Sequence, residues 1–337
     1  MNRSLNEALT VLGIETSCDD TAASVLRGST ILSNVVSSQD EIHGPYGGVV
    51  PELASRQHMR QILPIIDQAL HIARVRIEQL DGVAVTCGPG LVGSLLVGVS
   101  IAKALAVAQN LPFIGVNHIE GHLLAVQLEQ HVAFPFLCLI VSGGHTSLYL
   151  ARDFGEYTFL GGTRDDAAGE AFDKAAKMLG LGYPGGRIID QLAQQGNAAV
   201  HRFPRAHLKN GKPGFSYSGL KTALRQFLQQ PERAAFRVED IAASYQEAVV
   251  DMLVEPTLQA ATEIGVERIV VSGGVSANSR LRRRMKEEGA RLGFQVFVPS
   301  PAFCTDNAAM IAFAGAWRLA RGQHSSLDLN AAATLRL

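Results

Sequence analysis

Two different patterns recur in the same order along this chain, and that repetition limits the fold more than any single motif. Val11–Ile14 reads as a short apolar strand. An acid- and hydroxyl-rich bend follows, Glu15-Thr16-Ser17-Cys18-Asp19-Asp20-Thr21, then a second strand, Ala22–Leu26. Later, Phe136–Val141, the bend Ser142-Gly143-Gly144-His145-Thr146 and Ser147–Ala151 repeat the arrangement. Both read as hairpins. Each half then carries a strand, a glycine turn, a helix and another strand. In the first half these are 82–86, Cys87-Gly88-Pro89-Gly90, a helix through Ala108, and 113–116. In the second they are 268–271, Ser272-Gly273-Gly274-Val275, a helix 278–292, and 294–298. This is α/β patterning in duplicate. A duplicated α/β chain is expected to bind its ligand in a cleft between the copies. A last helix, 307–321, is expected to pack back on the first half.

Composition narrows the functional classes. Hydrophobic residues make up 47% of the 337 and charged residues 18%, which is the balance of a folded globular chain. The net charge of −1 does not announce nucleic acid, so an RNA contact has to come from local basic patches. Four lone cysteines, with no CxxC pair, fit a reduced cytoplasm better than a disulfide framework. The segment MNRSLNEALT lacks the apolar core of a signal peptide. The apolar run 91–108 is interrupted by Ser94, Ser100 and Lys103, and is expected as a buried core helix instead of a membrane span.

The chemistry concentrates in Asn117-His118-Ile119-Glu120-Gly121-His122. Asn117 suits a helix N-cap, which puts both histidines on one helix. At ~100° per residue their directions differ by ~40°, so both rings can reach one cation. Imidazole suits zinc or ferrous iron, and a late carboxylate, Asp306 in Cys304-Thr305-Asp306-Asn307, is compatible with either. The bland alternative is a pair of ordinary histidines on a half-buried face. Glu120 is poorly placed as a zincin base, because it points ~180° from the midpoint of the two histidines.

The two Ser-Gly-Gly turns let backbone N–H groups approach an anionic oxygen without Cβ interference, although tight structural turns explain either one alone. The second is expected to open a helix, whose N-terminus favours phosphate. Asp166, Glu170 and Asp173 share one helix face, either to bond ligand hydroxyls or to form the i,i+4 pairs Glu170–Lys174 and Asp173–Lys177. Tyr183-Pro184-Gly185-Gly186 is a turn that a flat base could approach. Basic clusters stand at Arg280, Arg282, Arg283, Arg284 and Lys286, and at His207, Lys209, Lys212 and Lys221. A solvated face is the default for the first of these, with RNA phosphate the functional reading. No Ser–His or Cys–His nucleophile pair is evident, so no covalent enzyme intermediate is expected.

GIETSCDDT, YGGVVPELASRQH, GPGLVGSLLVG, NHIEGHL, VSGGHTSL, DDAAGEAFDK, YPGG, FSYSGLKT, SGGVSAN and CTDNAAMIA together resemble the bacterial TsaD family, also called Gcp or YgjD. The resemblance runs from about Val11 to the end of the sequence. It implies an actin-like (ASKHA) fold of two ribonuclease-H-like domains with an interdomain cleft. The expected division is 1–116 plus about 307–337 against 117–306, the latter carrying most of the metal and substrate site. The implied reaction transfers the threonylcarbamoyl group of threonylcarbamoyl-AMP to N6 of adenosine 37 in tRNAs reading ANN codons, giving t6A and AMP. The implied metal ligands are His118, His122 and Asp306, holding one divalent cation per subunit, Fe2+ by preference with Zn2+ as the alternative. Ile140, Val141, Ser142, Gly143, Gly144, Asp173, Gly186, Asp190 and Asn278 match the family's positions for the nucleotide-linked substrate. Glu15, Ser17, Glu170, Gly273 and Gly274 are further candidates. The implied partners are a TsaB-like paralogue, a TsaE-like ATPase, a TsaC-type enzyme supplying threonylcarbamoyl-AMP, and tRNA, with no membrane and a cytoplasmic location.

Two departures stand out. Asp20 occupies a position where many members have glutamate, and the first ten residues lie outside the motifs. Three other classes compete. A metalloprotease is disfavoured by the placement of Glu120. A non-catalytic nucleotide scaffold has no use for a His–His–Asp set, and a sugar or acetate kinase with magnesium-ATP needs no histidine pair.

Overall fold

The computed structural model describes residues 8–206 and 213–337. They divide into two compact units, 1–131 with 306–337, and 132–305. The second basic cluster falls mostly on residues 207–212, so His207, Lys209 and Lys212 lie outside the described residues.

Each unit is built on one five-stranded sheet. The first contains β1 (Thr10–Glu15), β2 (Asp20–Arg27), β3 (Thr30–Ser38), β4 (Gly82–Gly88) and β5 (Phe113–Asn117), in the order β3-β2-β1-β4-β5. The second contains β6 (Phe136–Val141), β7 (Thr146–Asp153), β8 (Glu156–Gly162), β9 (Arg268–Ser272) and β10 (Gln295–Phe297), in the order β10-β9-β6-β7-β8. Written from its first strand, each sheet has the order 3-2-1-4-5. The first three strands pair antiparallel, and the last two join parallel to the first. The repeated patterns thus fold into the same sheet twice. What the sequence reading left out is the third strand of each, β3 and β8. Both are mostly half-buried or exposed edge strands, so neither shows an apolar alternation strong enough to read.

In the first unit the sheet is covered on both faces, and the side-chain period of two sorts the contacts. Leu12 and Ile14 of β1 and Val83 and Val85 of β4 enter one core with Ile62, Ile65 and Ile66 of helix Pro51–Ala73 and Val99, Ala102 and Ala106 of helix Val92–Gln109. The alternate residue Gly13 faces helix Ala308–Leu319. A Cβ there would stand 2.3 Å from the Ala308 carbonyl oxygen and 2.8 Å from Ala312 Cβ. Gly315 answers from the helix side, where a Cβ would lie 2.2 Å from Ala84 Cβ. These two glycines let the helix press directly on strand backbone. Double coverage explains why β1 and β4 are buried at every residue. Helix Val92–Gln109 is the one helix among the described residues long and apolar enough to cross a membrane, and its apolar residues form part of this core.

The expected domain boundary is corrected. Helix His118–Leu124 is buried along its whole length and packs on helix Ala308–Leu319, so residues 117–131 and Asp306 belong to the first unit. The His118–His122–Asp306 set therefore lies in the first unit, not in the second as expected.

In the second unit Leu137, Leu139 and Val141 of β6 and Ile269 and Val271 of β9 share a core with helices Ala168–Met178, Gly185–Ala193 and Val238–Ile264. Phe172, Phe203, Phe215, Tyr217 and Tyr245 are its largest fully buried side chains.

The Gly315–Ala84 contact makes a direct test of this packing. Gly315→Ala should destabilise the chain by roughly 1–3 kcal/mol, the usual cost of overpacking a filled core. Thermal and urea unfolding measure it, and an unchanged midpoint would contradict the close approach.

Candidate functional site

The first site is assembled at the carboxyl ends of β1, β4 and β5, where open α/β sheets bind ligands. Ile14 lies opposite Val85, and Thr86 opposite Val116, so Glu15 and Thr86 end neighbouring strands beside the chain entering His118. Asn117 caps the next helix, its Oδ1 accepting from Ile119 N–H at 2.8 Å. The expected cap and helix are both present. The rings of His118 and His122 meet edge to face, with centroids 4.7 Å apart.

Asp306 reaches both rings from just before helix Ala308–Leu319, which Asn307 caps through Met310 N–H at 3.0 Å. Asp306 Oδ1 is 3.1 Å from His122 Nε2 and 3.7 Å from His118 Nε2. One donor atom from each of the three residues lies within 4.8 Å of the others. Two ligands about 2.1 Å from one cation sit about 3.0–3.7 Å apart at angles between square and slightly wider than tetrahedral. The donor set and both measured separations therefore fit a zinc- or iron-sized ion.

A second layer holds this set in place. His118 Nδ1 is 3.0 Å from Glu15 Oε2 and 3.1 Å from Ser17 Oγ. The Glu15 carboxylate is fully buried and also accepts from the Thr86 hydroxyl at 2.6 Å and from Ser17 N–H. A ring whose Nδ1–H points at a carboxylate presents its Nε2 lone pair outward, the usual arrangement behind a metal-bound histidine. Burial alone would lower the His118 pKa, but the Glu15 and Asp306 carboxylates push it up to about 9. Burial alone would raise the Glu15 pKa, and the charge and hydrogen bond of His118 more than offset this and lower it.

Sequence reading found no Ser–His pair, yet the fold brings Ser17 to His118 across 101 residues of chain. Ser17 is buried, and the nitrogen it touches is the one committed to Glu15, so it positions the ring and is not a nucleophile. Glu120, the residue a protease reading would need, is buried on the other side of its helix. Arg318 holds it with contacts of 2.9, 2.9 and 3.1 Å. Asp20 lies in the bend after Glu15 and starts β2. Burial, with Asp306 and Asp19 nearby, pushes its pKa up to about 8.

A second constellation lies in the other unit, around the two Ser-Gly-Gly turns. The first turn is closed by Ser142 N–H donating to His145 O at 2.8 Å and His145 N–H donating to Ser142 Oγ at 3.1 Å. That leaves the Gly143 and Gly144 amides without an acceptor among the described residues. A Cβ on either glycine would meet nothing within 4 Å, and neither has a positive φ. Packing does not ask for glycine here, whereas a closely approaching anion does. Gly273 is different. Its φ is +92°, and a Cβ would lie 2.4 Å from Val141 O, so it fixes the second turn against the end of β6.

The second turn does not open a helix directly. A 3-10 turn, Gly274–Ala277, intervenes, and helix Ser279–Arg291 starts only after Asn278. Its N-terminus is already occupied. Asn278 Oδ1 accepts from Leu281 N–H at 3.0 Å, and Asp190 accepts from Ser279 N–H at 3.1 Å and from Ser279 Oγ at 2.7 Å. Asn278 Nδ2 donates to Gln246 at 2.7 Å, which leaves one amide hydrogen for a ligand. Asp173 does not pair with Lys177. Its Oδ1 accepts from Gly185 N–H at 2.8 Å, joining helix Ala168–Met178 to the start of helix Gly185–Ala193 beside Gly186. Glu170 makes the expected pair with Lys174, at 2.8 Å.

The first basic cluster is largely spent on the fold. Arg280 holds Glu247 with both contacts at 2.6 Å, and Arg284 faces Glu247, Asp251 and Glu288. Arg282 donates to the carbonyls of Ser276 and Pro299. Arg283 and Lys286 are the exposed members.

Comparison with known proteins decides the family. A family model described as TsaD, tRNA N6-adenosine threonylcarbamoyltransferase, matches residues 30–313. The chain belongs to the TsaD family. A tRNA N6-adenosine threonylcarbamoyltransferase of Syntrophotalea carbinolica is 55% identical over 324 residues, covering 95% of each chain. One of Anaeromyxobacter dehalogenans is 56% identical over 333 residues, covering 97% of this chain and 99% of its own. Among solved structures, the HypF of T. kodakarensis matches with a TM-score of 0.63 at 14% identity, covering 93% of this chain and 48% of its own. The activator of the 2-hydroxyisocaproyl-CoA dehydratase from Clostridium difficile matches at 0.53 and 15% identity, covering 94% of this chain and 99% of its own. These structures share the fold alone, the duplicated actin-like architecture. The activity is that of the TsaD family, threonylcarbamoyl transfer to adenosine N6 in tRNA, giving t6A. The family depends on a metal, and His118, His122 and Asp306 are a fitting site for one.

Because the carboxylates around His118 hold a proton on it up to about pH 9, a cation has to displace that proton. Zn2+ affinity measured by chelator competition should rise about tenfold per pH unit through neutrality and level off toward that pH. A flat profile across about one unit either side of neutral would show that binding displaces no proton from His118.

Proposed function

We propose that the chain carries out metal-assisted, direct acyl transfer from threonylcarbamoyl-AMP to N6 of adenosine 37 in tRNAs reading ANN codons. The observation that carries this reading is the convergence of His118 Nε2, His122 Nε2 and Asp306 Oδ1, with Glu15 fixing the first ring from behind. Bound there, a divalent cation supplies Lewis acidity to an oxygen of the acyl donor. Fe2+ is the expected ion, and Zn2+ suits the same donors.

The remaining steps belong to the chain's own groups. Gly143 and Gly144 present two open N–H groups, which suit the phosphate of AMP and stabilise it as it leaves. Gly186, where a Cβ would have no neighbour nearer than 3.9 Å, leaves room for the nucleoside, and Asp173, Asp190 and Asn278 are the polar residues that the family reading assigns to it. The adenosine N6 attacks the carbamoyl carbon. The new C–N bond forms as the C–O bond to phosphate breaks, the electron pair goes to AMP, and N6 loses a proton. A feeble amine nucleophile makes leaving-group stabilisation and positioning the main contributions. The amine becomes accessible when the anticodon-loop base is splayed out.

The family reading supplies a TsaB-like paralogue, a TsaE-like ATPase and a TsaC-type source of threonylcarbamoyl-AMP, all in the cytoplasm. One surface suits the paralogue. Helices Pro51–Ala73 and Val92–Gln109 expose Met59, Leu63, Val92 and Leu96, with Met59 at 68% and Leu63 at 57% of their full accessibility. Large apolar side chains this open, on helices packed side by side, suit an equally apolar helical partner. Met59→Glu with Leu63→Glu should abolish co-purification with the paralogue while leaving the circular dichroism spectrum unchanged. Undiminished pull-down would remove this surface from consideration.

Replacing His118 by Ala decides the central reading. With partners, threonylcarbamoyl-AMP and tRNA supplied, this variant should form no t6A by mass spectrometry while keeping the parent's circular dichroism spectrum, its melting point falling because Glu15 loses a buried partner. Normal t6A formation would refute the metal role.

A further inference from the structure

The strand ends that deliver His118 are covered by a segment to which the chemistry above gives no part. After helix Ala308–Leu319, residues 325–335 run along β5 and across the end of β4. Ser325 N–H donates to Phe113 O at 2.8 Å, and Ser325 Oγ accepts from Gly115 N–H at 3.0 Å. Ala332 N–H donates to Cys87 O at 2.8 Å, and Gly90 N–H donates to Ala333 O at 3.2 Å. Finally, Asn117 Nδ2 donates to Leu335 O at 3.3 Å.

The strands are shaped to receive this segment. A Cβ on Gly88 would stand 2.3 Å from Ala332 O, and one on Gly115 would stand 2.7 Å from a Leu329 methyl. Gly88 also has a φ of +154°, and a Cβ on Gly115 would meet Cys87 Sγ at 2.9 Å as well, so both positions leave little room for a side chain beneath residues 329–332. The contacts fall two residues past Thr86 on β4 and three residues before His118 on β5.

Asn117 joins the two systems. Its Oδ1 caps the helix that starts with His118, and its Nδ2 is tied to the Leu335 carbonyl. An amide held at both ends has no freedom to rotate, so the first helical turn is set before any ligand arrives. Preorganisation of this kind lowers the cost of binding.

We propose that residues 325–335 form a strap that sets the cation-binding geometry through Asn117, making Asn117 a positioning residue for the metal site. The proposal rests on the reading of His118, His122 and Asp306 as ligands. Their imidazole and carboxylate donors also accept Co2+, whose visible absorption reports ligand geometry.

The test uses Co2+ alone as probe, with four forms of the protein: the parent chain, Asn117→Ser, a chain lacking residues 331–337, and His118→Ala. Serine keeps a capping oxygen but cannot reach Leu335. Asn117→Ser and the shortened chain should both bind Co2+ about tenfold more weakly, the lower end of the range for loss of outer supports. Their absorption bands should shift, while the far-ultraviolet circular dichroism of Asn117→Ser stays that of the parent. If the shortened chain does not fold, Asn117→Ser decides alone. Parent-like affinity and spectrum in a folded Asn117→Ser would overturn the strap. A parent chain that ignores Co2+, or a His118→Ala chain that binds it undiminished, would overturn the metal reading instead.

Discussion

A carboxylate with no access to water sits at the end of β1, and the first unit is arranged around keeping it ionised. Glu15 is tolerable there because the His118 ring, the Thr86 hydroxyl and the Ser17 amide all converge on it. A buried carboxylate without such partners would take up a proton or destabilise the fold. The three partners come from the end of β4, the start of the histidine helix and the bend after β1. The same contacts that satisfy one charge therefore fix the relative placement of the elements around the histidine pair. Arg318 does the corresponding work on the opposite face of that helix, where Glu120 is nearly as deeply buried. A histidine helix of only seven residues is thus held by one ion pair on each side and an asparagine cap at its start.

Duplication supplied two equivalent corners, and they now carry opposite chemistry. The bend after β1 and the bend after β6 occupy the same place in their sheets. The first is rich in acids and hydroxyls and turns inward to support histidine. The second is Ser-Gly-Gly and leaves two amides open. The turns after β4 and β9 differ likewise, since Gly88 is shaped by a neighbouring carbonyl in one and Gly273 by the end of β6 in the other. Sheet topology tolerates this because it depends on strand patterning, not on the residues that close the bends.

Much of this was legible in the chain, and the gaps have physical causes. The repeated strand patterns, the Asn117 cap and the paired histidines are local signals, carried by spacing within a few residues. Asp306 meets His122 across 184 residues, and no periodicity says which distant carboxylate will arrive. Only the resemblance to the TsaD family points to Asp306. Glu15 and Ser17 were visible as polar residues in a bend, but their role behind His118 depends on a contact more than 100 residues long. Strands β3 and β8 escaped because half-exposed edges carry little hydrophobic contrast. Strand patterning alone puts the domain boundary where β5 ends. The histidine helix follows its buried face instead, and that face belongs to helix Ala308–Leu319. The arginines near residue 282 looked available because charge in a sequence does not show which partners consume it.

The first unit is interrupted by the second, and this has a bearing on biogenesis. Residues 132–305 form a continuous stretch with their own sheet and core, so they can acquire structure as soon as they leave the ribosome. The earlier strands cannot finish. One face of β1 and β4 waits for helix Ala308–Leu319, and the histidine pair waits for Asp306. Residues 132–305 must therefore be made before the first sheet is covered on both faces and before His118, His122 and Asp306 can meet.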